Sequence, residues 1–216
     1  MATAVMDKAT WLALLRQQRA IAVIRAPTFA VGIQMAAAVV AGGFRLIEIT
    51  WTSDHPDKLV HHLRTQLPAD CVVGVGTVLS SSALQQAIAA GAQFSFMPHS
   101  DPDLITLGQS HQIPVVPGAL TPTEIMTAWS LGAGGVKVFP CAAVGGPAYI
   151  RHLQGPLGHI PLIPTVGISV ESARDYLAQG AIAVGIASSL FPKTMVKQGD
   201  WSGIQARSRT FLQSLR

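Results

Sequence analysis

From Ile21 onward the chain alternates short apolar runs with longer stretches in which apolar positions recur every third or fourth residue. The runs read as strands buried on both faces, and the longer stretches as amphipathic helices. Eight strands are predicted, at 21–25, 44–50, 71–75, 94–97, 114–116, 136–139, 161–164 and 183–186. Helix-start signals lie at Ser80-Ser81-Ser82, Thr121-Pro122-Thr123-Glu124 and Ser169-Val170-Glu171. Before four of the strands a similar hinge recurs: Ala41-Gly42-Gly43, Ala90-Gly91-Ala92, Gly132-Ala133-Gly134-Gly135 and Gln179-Gly180-Ala181. Each reads as a helix C-cap feeding the next strand, and the recurrence is a weak β-α repeat.

Eight β-α units in 216 residues predict a single (β/α)8 barrel domain over 1–216, with residues 1–20 as a lead-in helix. A doubly wound open sheet is the alternative. A barrel carries its chemistry at the C-terminal ends of its strands and in the loops after them. Arg25, Glu48, Thr77, Pro98, His99, Lys137, Thr165 and Ser188 all fall at such positions.

The composition, 49% apolar and 12% charged, argues against disorder and fits strands covered on both faces. Fifteen basic against eleven acidic residues give a net charge of +4, with no run of three basic residues. That pattern lacks the clustering of a nucleic-acid stripe and suits a small anionic substrate. Cys71 and Cys141 form neither a disulfide framework nor a metal-ligand pattern, which points to a reducing, cytoplasmic setting. Residues 1–20 lack the ordered regions of a signal peptide. The nearly apolar stretch from Phe29 to Phe44 falls short of the roughly 20 residues that span a bilayer, and reads as a buried helix ending at Gly42-Gly43.

The run Gly134-Gly135-Val136-Lys137-Val138-Phe139-Pro140 places one lysine inside a buried strand. Desolvation depresses a buried lysine's pKa by up to roughly 3 to 5 units. The result is the neutral amine that a Schiff-base nucleophile requires. A lysine paired with a structural carboxylate, or snorkelling from a strand end, is the other reading. Glu48, in Leu46-Ile47-Glu48-Ile49-Thr50, is a second strand charge. Within one barrel it could shuttle protons for Lys137 or form a structural ion pair with it. Arg25, at the barrel mouth, could fork onto a substrate carboxylate or pair with a neighbouring loop.

Other signals are weaker. Gly74-Val75-Gly76-Thr77-Val78-Leu79 starts like a dinucleotide fingerprint, but Leu79 stands at the third glycine, so that reading is rejected. His61 and His62 read as a surface pair. His99 is placed either to touch substrate or to cap its loop, and Cys141 reads as a small packing residue.

Taken together, Leu46-Ile47-Glu48-Ile49-Thr50, Gly74-Val75-Gly76-Thr77-Val78, Val116-Pro117-Gly118, Lys137-Val138-Phe139-Pro140 and Pro164-Thr165-Val166-Gly167-Ile168 resemble the 2-keto-3-deoxy-6-phosphogluconate (KDPG) aldolases. That family includes the 4-hydroxy-2-oxoglutarate (KHG) aldolases, and the likeness runs from about Ile21 to Phe191. The resemblance implies a class I aldolase on a (β/α)8 barrel, usually a homotrimer, acting on a small keto acid without metal or cofactor. Lys137 would form the Schiff base and Glu48 would move protons through a water. Thr77 and Arg25 would hold the pyruvyl carboxylate, Thr165 and Phe139 would line the pocket, and Pro98 would shape the loop beside it. Oxaloacetate decarboxylation through the same imine, or an idle barrel that only binds a keto acid or sugar phosphate, are the alternatives.

Three departures from the family pattern stand out. Thr52 replaces a common arginine, as in members that carry an arginine in the first strand, here Arg25. Val166 stands where a Thr-Gly-Gly turn has its first glycine, and Ala187 where Gly-x-Gly-Ser is usual. Both lie in the loops that form a barrel's habitual phosphate site, where missing side chains let backbone N–H groups approach the anion. Val166 and Ala187 are expected to crowd a phosphate, while Gly167, Gly185, Ser188 and Ser189 still offer donors. A weakened preference for phosphorylated substrate follows, in favour of 4-hydroxy-2-oxoglutarate or oxaloacetate.

Overall fold

The computed structural model describes residues 6–215. Helix α1 (Lys8–Gln18) starts at Asp7, whose carboxylate accepts from the Thr10 N–H at 2.7 Å. Strands β1 (Ala20–Ile24), β2 (Leu46–Thr50), β3 (Val72–Gly76), β4 (Ser95–Phe96) and β5 (Val115–Val116) follow, separated by α2 (Phe29–Ala41), α3 (Pro56–Gln66), α4 (Ser81–Ala89) and α5 (Pro102–Ser110). After β6 (Gly118–Ala119) come α6 (Pro122–Ser130), β7 (Val136–Val138), α7 (Pro147–Leu157), β8 (Leu162–Pro164), α8 (Ala173–Ala178), β9 (Val184–Ile186), α9 (Lys193–Gln198) and α10 (Trp201–Ser214).

The helix signals act as expected at two of three places. Ser80 caps α4, and Thr121 with Glu124 closes a capping box on α6. At the third, the Ser169 hydroxyl accepts from the Ser172 N–H at 3.1 Å in a turn, and the continuous helix begins only at Ala173. All four hinges contain a glycine with φ between +90° and +111°, namely Gly43, Gly91, Gly132 and Gly180. In each, the residue after that glycine donates back to a carbonyl in the helix's last turn, for example Phe44 to Val39 at 3.0 Å. This geometry turns each helix back toward the sheet.

All strand pairs are parallel, in a curled six-stranded sheet (β5-β4-β3-β2-β1-β9) and a three-stranded sheet (β6-β7-β8). The eight expected strands are present in order, and β6 is an addition that the sequence did not disclose. Pro117, which lacks an N–H, separates it from β5. The chain thereby passes from one sheet to the other: Gly134 donates to Val115 at 2.8 Å, Lys137 to Pro117 at 2.9 Å and Phe139 to Ala119 at 3.1 Å. On the other side of the three-stranded sheet, Ile182 donates to Leu162 at 3.0 Å and Thr165 bridges Gly185 in parallel.

Side chains alternate along the strands. One face packs against the helices through a large core that includes Ile47, Ile49, Val73, Val136 and Val138. The concave face gathers a second core, with Ile21, Leu46, Phe94, Phe96, Val116, Ile163 and Ala183 drawn from both sheets. Helix α1 seats Trp11 and Leu15 in this inner core. The Trp11 ring stacks on Phe94 with centroids 5.0 Å apart, and its Nε1 donates to the Gly134 carbonyl at 3.0 Å. The N-terminal ends of the strands are therefore plugged. Continuing in steps of two residues along β1, β2 and β8 brings polar side chains to the inner face.

Candidate active site

That step takes Leu46 to Glu48 and Thr50, Ile21 to Val23 and Arg25, and Ile163 to Thr165. The residues surround a cavity of about 260 Å³ at the C-terminal strand ends. Arg25, Glu48, Thr77, Pro98, Lys137, Phe139, Thr165, Gly167, Gly185 and Ser188 all line it, whereas His99 and Ser189 do not. Val166 and Ala187 line it too.

Glu48 is 2% exposed and Lys137 8% exposed. Burial raises the Glu48 pKa above the ordinary carboxylate value, opposed by the charges of Lys137 and Arg25. Burial likewise lowers the Lys137 pKa, opposed by Glu48 and reinforced by Arg25. Desolvation outweighs pairing at both groups. Among the described residues no salt bridge joins Lys137 to Glu48, although both line one cavity, and the Lys or Arg ion pair found is Arg45–Asp70 at 2.6 Å. The Lys137 Nζ lies 4.8 Å from the centre of the Phe139 ring, close enough for that π-face to favour a cation on the nitrogen.

Arg25 donates to the Thr52 hydroxyl. The arginine just after β1 and the threonine just beyond β2 thus meet at one spot. Thr52 continues to Thr50 at 3.3 Å, Thr50 to Ser53 at 3.2 Å, and the Ser53 hydroxyl accepts from the Ala26 N–H at 3.0 Å. This chain ties the ends of β1 and β2 and fixes Arg25 at the cavity edge. The Thr165 hydroxyl is buried without a hydrogen-bond partner, which leaves it for a ligand oxygen.

Two β-branched residues of the wall adopt left-handed backbone, Thr77 at φ 59° and Val166 at φ 66°. Such conformations cost on the order of 1–3 kcal/mol and persist where surrounding structure enforces them. Val166 is 54% exposed, with an apolar side chain at the cavity wall. A Cβ on Gly167 would lie 2.3 Å from that of Ala142, so the loop accepts no side chain there.

Val23, Thr50 and Ile168 also line the cavity and were not singled out from the sequence. Val23 and Thr50 share a strand face with Arg25 and Glu48, so period-two alternation carried the signal. Gly76 was missed as well: a Cβ there would lie 1.7 Å from the Glu48 Oε1. Its bare backbone is what lets the carboxylate lie where it does. His99 is exposed, does not line the cavity and stands 4.0 Å from Asp101, which fits the loop role. His61 and His62 lie on α3, away from the cavity. Ser189 is engaged elsewhere, its hydroxyl accepting from the Val170 N–H at 3.0 Å. Cys141 is buried in the outer core, and burial pushes its thiol up to about 11. Among the described residues no cluster of three or more His, Cys, Asp or Glu side chains is arranged to hold a metal ion, and no helix is long and apolar enough to cross a membrane.

A model of the KDPG and KHG aldolases matches residues 12–207. The chain belongs to this family. It is 35% identical over 177 residues to the 2-dehydro-3-deoxy-phosphogluconate aldolase of Dickeya dadantii (strain 3937), covering 82% of this chain and 83% of that protein. It is 32% identical over 184 residues to the KHG/KDPG aldolase of Escherichia coli (strain K12), covering 85% and 86%. Among solved structures, the KDPG aldolase of Legionella pneumophila superposes with a TM-score of 0.86 at 27% identity, over 95% of this chain and 98% of that one. That structure holds pyruvate captured at low pH as a covalent carbinolamine intermediate. As a member of the KDPG and KHG aldolases the protein is an aldolase, hence a lyase.

Proposed function

We propose that the protein cleaves a 2-keto-4-hydroxy acid to pyruvate and an aldehyde through a Schiff base on Lys137. The observation that carries this reading is the burial of Lys137 and Glu48 around one cavity, with the lysine's pKa lowered by desolvation. The neutral Nζ attacks the C2 carbonyl to give a carbinolamine. Loss of water then leaves a cationic imine beside Phe139. Glu48, acting through a water, protonates the departing hydroxyl and later takes the proton of the C4 hydroxyl. Cleavage of the C3–C4 bond sends its electron pair into the imine, releasing the aldehyde and leaving an enamine. Protonation at C3 and hydrolysis give pyruvate and restore the amine. Arg25 and Thr77 hold the pyruvyl carboxylate, Thr165, Gly167, Gly185 and Ser188 line the remaining walls, and Pro98 shapes its loop.

The same proposal takes the two sheets as one closed (β/α)8 barrel of a single domain. The hydrogen bonds across Pro117 and the Thr165–Gly185 bridge support closure. A cytoplasmic homotrimer is the assembly that the family resemblance suggests, and sedimentation of the full chain tests it.

A pH profile separates this chemistry from simple binding. Imine formation needs neutral Lys137, so kcat/KM rises with pH as the ammonium ionises. Burial lowers that pKa from 10.5, which moves the rise to lower pH than for an exposed lysine. The carboxylate of Glu48 opposes the lowering, so Glu48→Gln is expected to move the inflection lower still in the residual activity. An inflection that moves to higher pH would contradict the electrostatic arrangement.

Substrate choice rests on Val166 and Ala187. The proposed preference is for an unphosphorylated acid, 4-hydroxy-2-oxoglutarate or oxaloacetate, over 2-keto-3-deoxy-6-phosphogluconate. Oxaloacetate enters as a second reading because its decarboxylation needs only the imine and enamine that Lys137 supplies. Comparing pyruvate release from all three as kcat/KM is the test. The double change Val166→Gly with Ala187→Gly is expected to improve the phosphorylated substrate about tenfold, the worth of one hydrogen bond to a charged group. An unaltered KM for that substrate would refute the role given to the two side chains.

A further inference from the structure

A second cavity of about 430 Å³ adjoins the catalytic one and is the larger of the two. It lies between Pro27 after β1, Met35 of α2, the loop after β9 and helix α9. Val23, Arg25, Ala187 and Ser188 line both cavities, so these four residues form the partition. Neither Lys137 nor Glu48 reaches the second cavity. Covalent chemistry thus anchors the pyruvyl half on one side of the partition. The second cavity lies on the other.

The walls define what that space accepts. Val23, Pro27, Met35, Ala187, Phe191 and Val196 are apolar. The Arg25 guanidinium is engaged by Thr52, which does not line this cavity. Lys193 and Lys197 are exposed, and their methylene stems can cover apolar surface while the ammoniums remain in water. A methionine in such a wall adapts to ligands of differing shape. Ala187, one of the partition residues, contributes only a methyl group to it. On the catalytic side, Val166 and Ile168 add apolar wall beside the cavity.

We infer that this cavity is an annex of the active site that holds an apolar chain or ring on C4 of the substrate. The class of substrate is then an unphosphorylated 2-keto-4-hydroxy acid with an aliphatic or aromatic tail, released as the corresponding aldehyde. This rests on the Schiff-base reading of Lys137. In the synthetic direction, the enamine carbon derived from pyruvate C3 bonds to the aldehyde carbon. The aldehyde oxygen takes up a proton, and water hydrolyses the imine to free the product.

The test runs in that direction, with pyruvate and the series propanal, butanal, pentanal and hexanal, reading kcat/KM for the aldehyde. Burial of each added methylene is expected to raise it about fourfold. Val196→Trp from α9, and Pro27→Trp from the opposite wall, fill the annex without entering the catalytic cavity. Either is expected to reduce the hexanal-to-propanal ratio at least about fivefold, a result that a change in general stability would not give. A series flat in chain length, or a rise that survives both substitutions, overturns the annex. Borohydride trapping of pyruvate on the enzyme separates the two levels. Trapping with a flat series leaves Lys137 chemistry intact and removes the annex alone, whereas no trapping removes both.

Discussion

Lys137→Ala is expected to yield a folded protein with no measurable cleavage of any 2-keto-4-hydroxy acid. The loss in kcat should exceed about 10⁴-fold, because covalent catalysis replaces one difficult step by easier ones that the alanine variant cannot enter. Borohydride with pyruvate should mark the wild-type chain and leave the variant unmarked. The fold should survive for an electrostatic reason. Burial disfavours the charge on Lys137, so replacing it with alanine removes a group whose charged form the site does not favour. Glu48 then loses the first of the two charges opposing its own desolvation, and its pKa rises further, so the carboxyl becomes neutral at lower cost. A thermal melt close to wild type together with absent trapping is the expected pair of results. Retained cleavage in the variant would end the Schiff-base reading. Lys137→Arg sharpens the comparison, since it keeps the positive charge and lacks the nucleophile.

Much of this arrangement is legible in the chain because it rests on local rules. The order of strands followed from apolar runs, and the four glycine hinges followed from the need for a left-handed residue between helix and strand. Both are decided within a few residues. The candidate residues were legible for a related reason: a charge in a buried strand, such as Lys137 or Glu48, contradicts its surroundings unless it has a task. The resemblance then gave each a role. What stayed hidden depends on residues distant in sequence. Pro117 divides a strand in two because the residues before it pair with β4 and those after it with β7. The Arg25–Thr52–Thr50–Ser53 chain joins two strand ends across 28 residues, from Arg25 to Ser53, and no spacing rule encodes it. The second cavity forms where α2, α9 and two loops meet, so its apolar residues read one by one as ordinary core. Ser169 shows the opposite failure, a correct capping signal followed by a turn instead of a helix.

Gly76 illustrates how such a hidden contact can matter as much as a reactive group. Glu48→Gln is expected to lower kcat by about 10²- to 10⁴-fold, the usual worth of a positioned proton-transfer group. Gly76→Ala should approach that loss while leaving the carboxylate in the sequence. The added methyl would lie 1.7 Å from Oε1 and 2.4 Å from Cδ of Glu48, so the side chain must rotate away. The neighbouring strand fixes the direction of the argument, because Glu48 and Gly74 are register partners and Gly76 lies one step further along the same inner face. A displaced carboxylate should affect the steps it serves and spare those it does not. Pyruvate should therefore still be trapped on Lys137, more slowly, with KM altered less than kcat. The pH profile gives a second readout that loss of stability alone would not move. As Glu48 withdraws, its charge supports the Lys137 ammonium less, and the inflection should shift to lower pH, in the direction expected for Glu48→Gln. Near wild-type kcat with an unshifted inflection in Gly76→Ala would mean that the carboxylate works equally well from another position. Proton transfer would then not depend on the geometry that Gly76 permits.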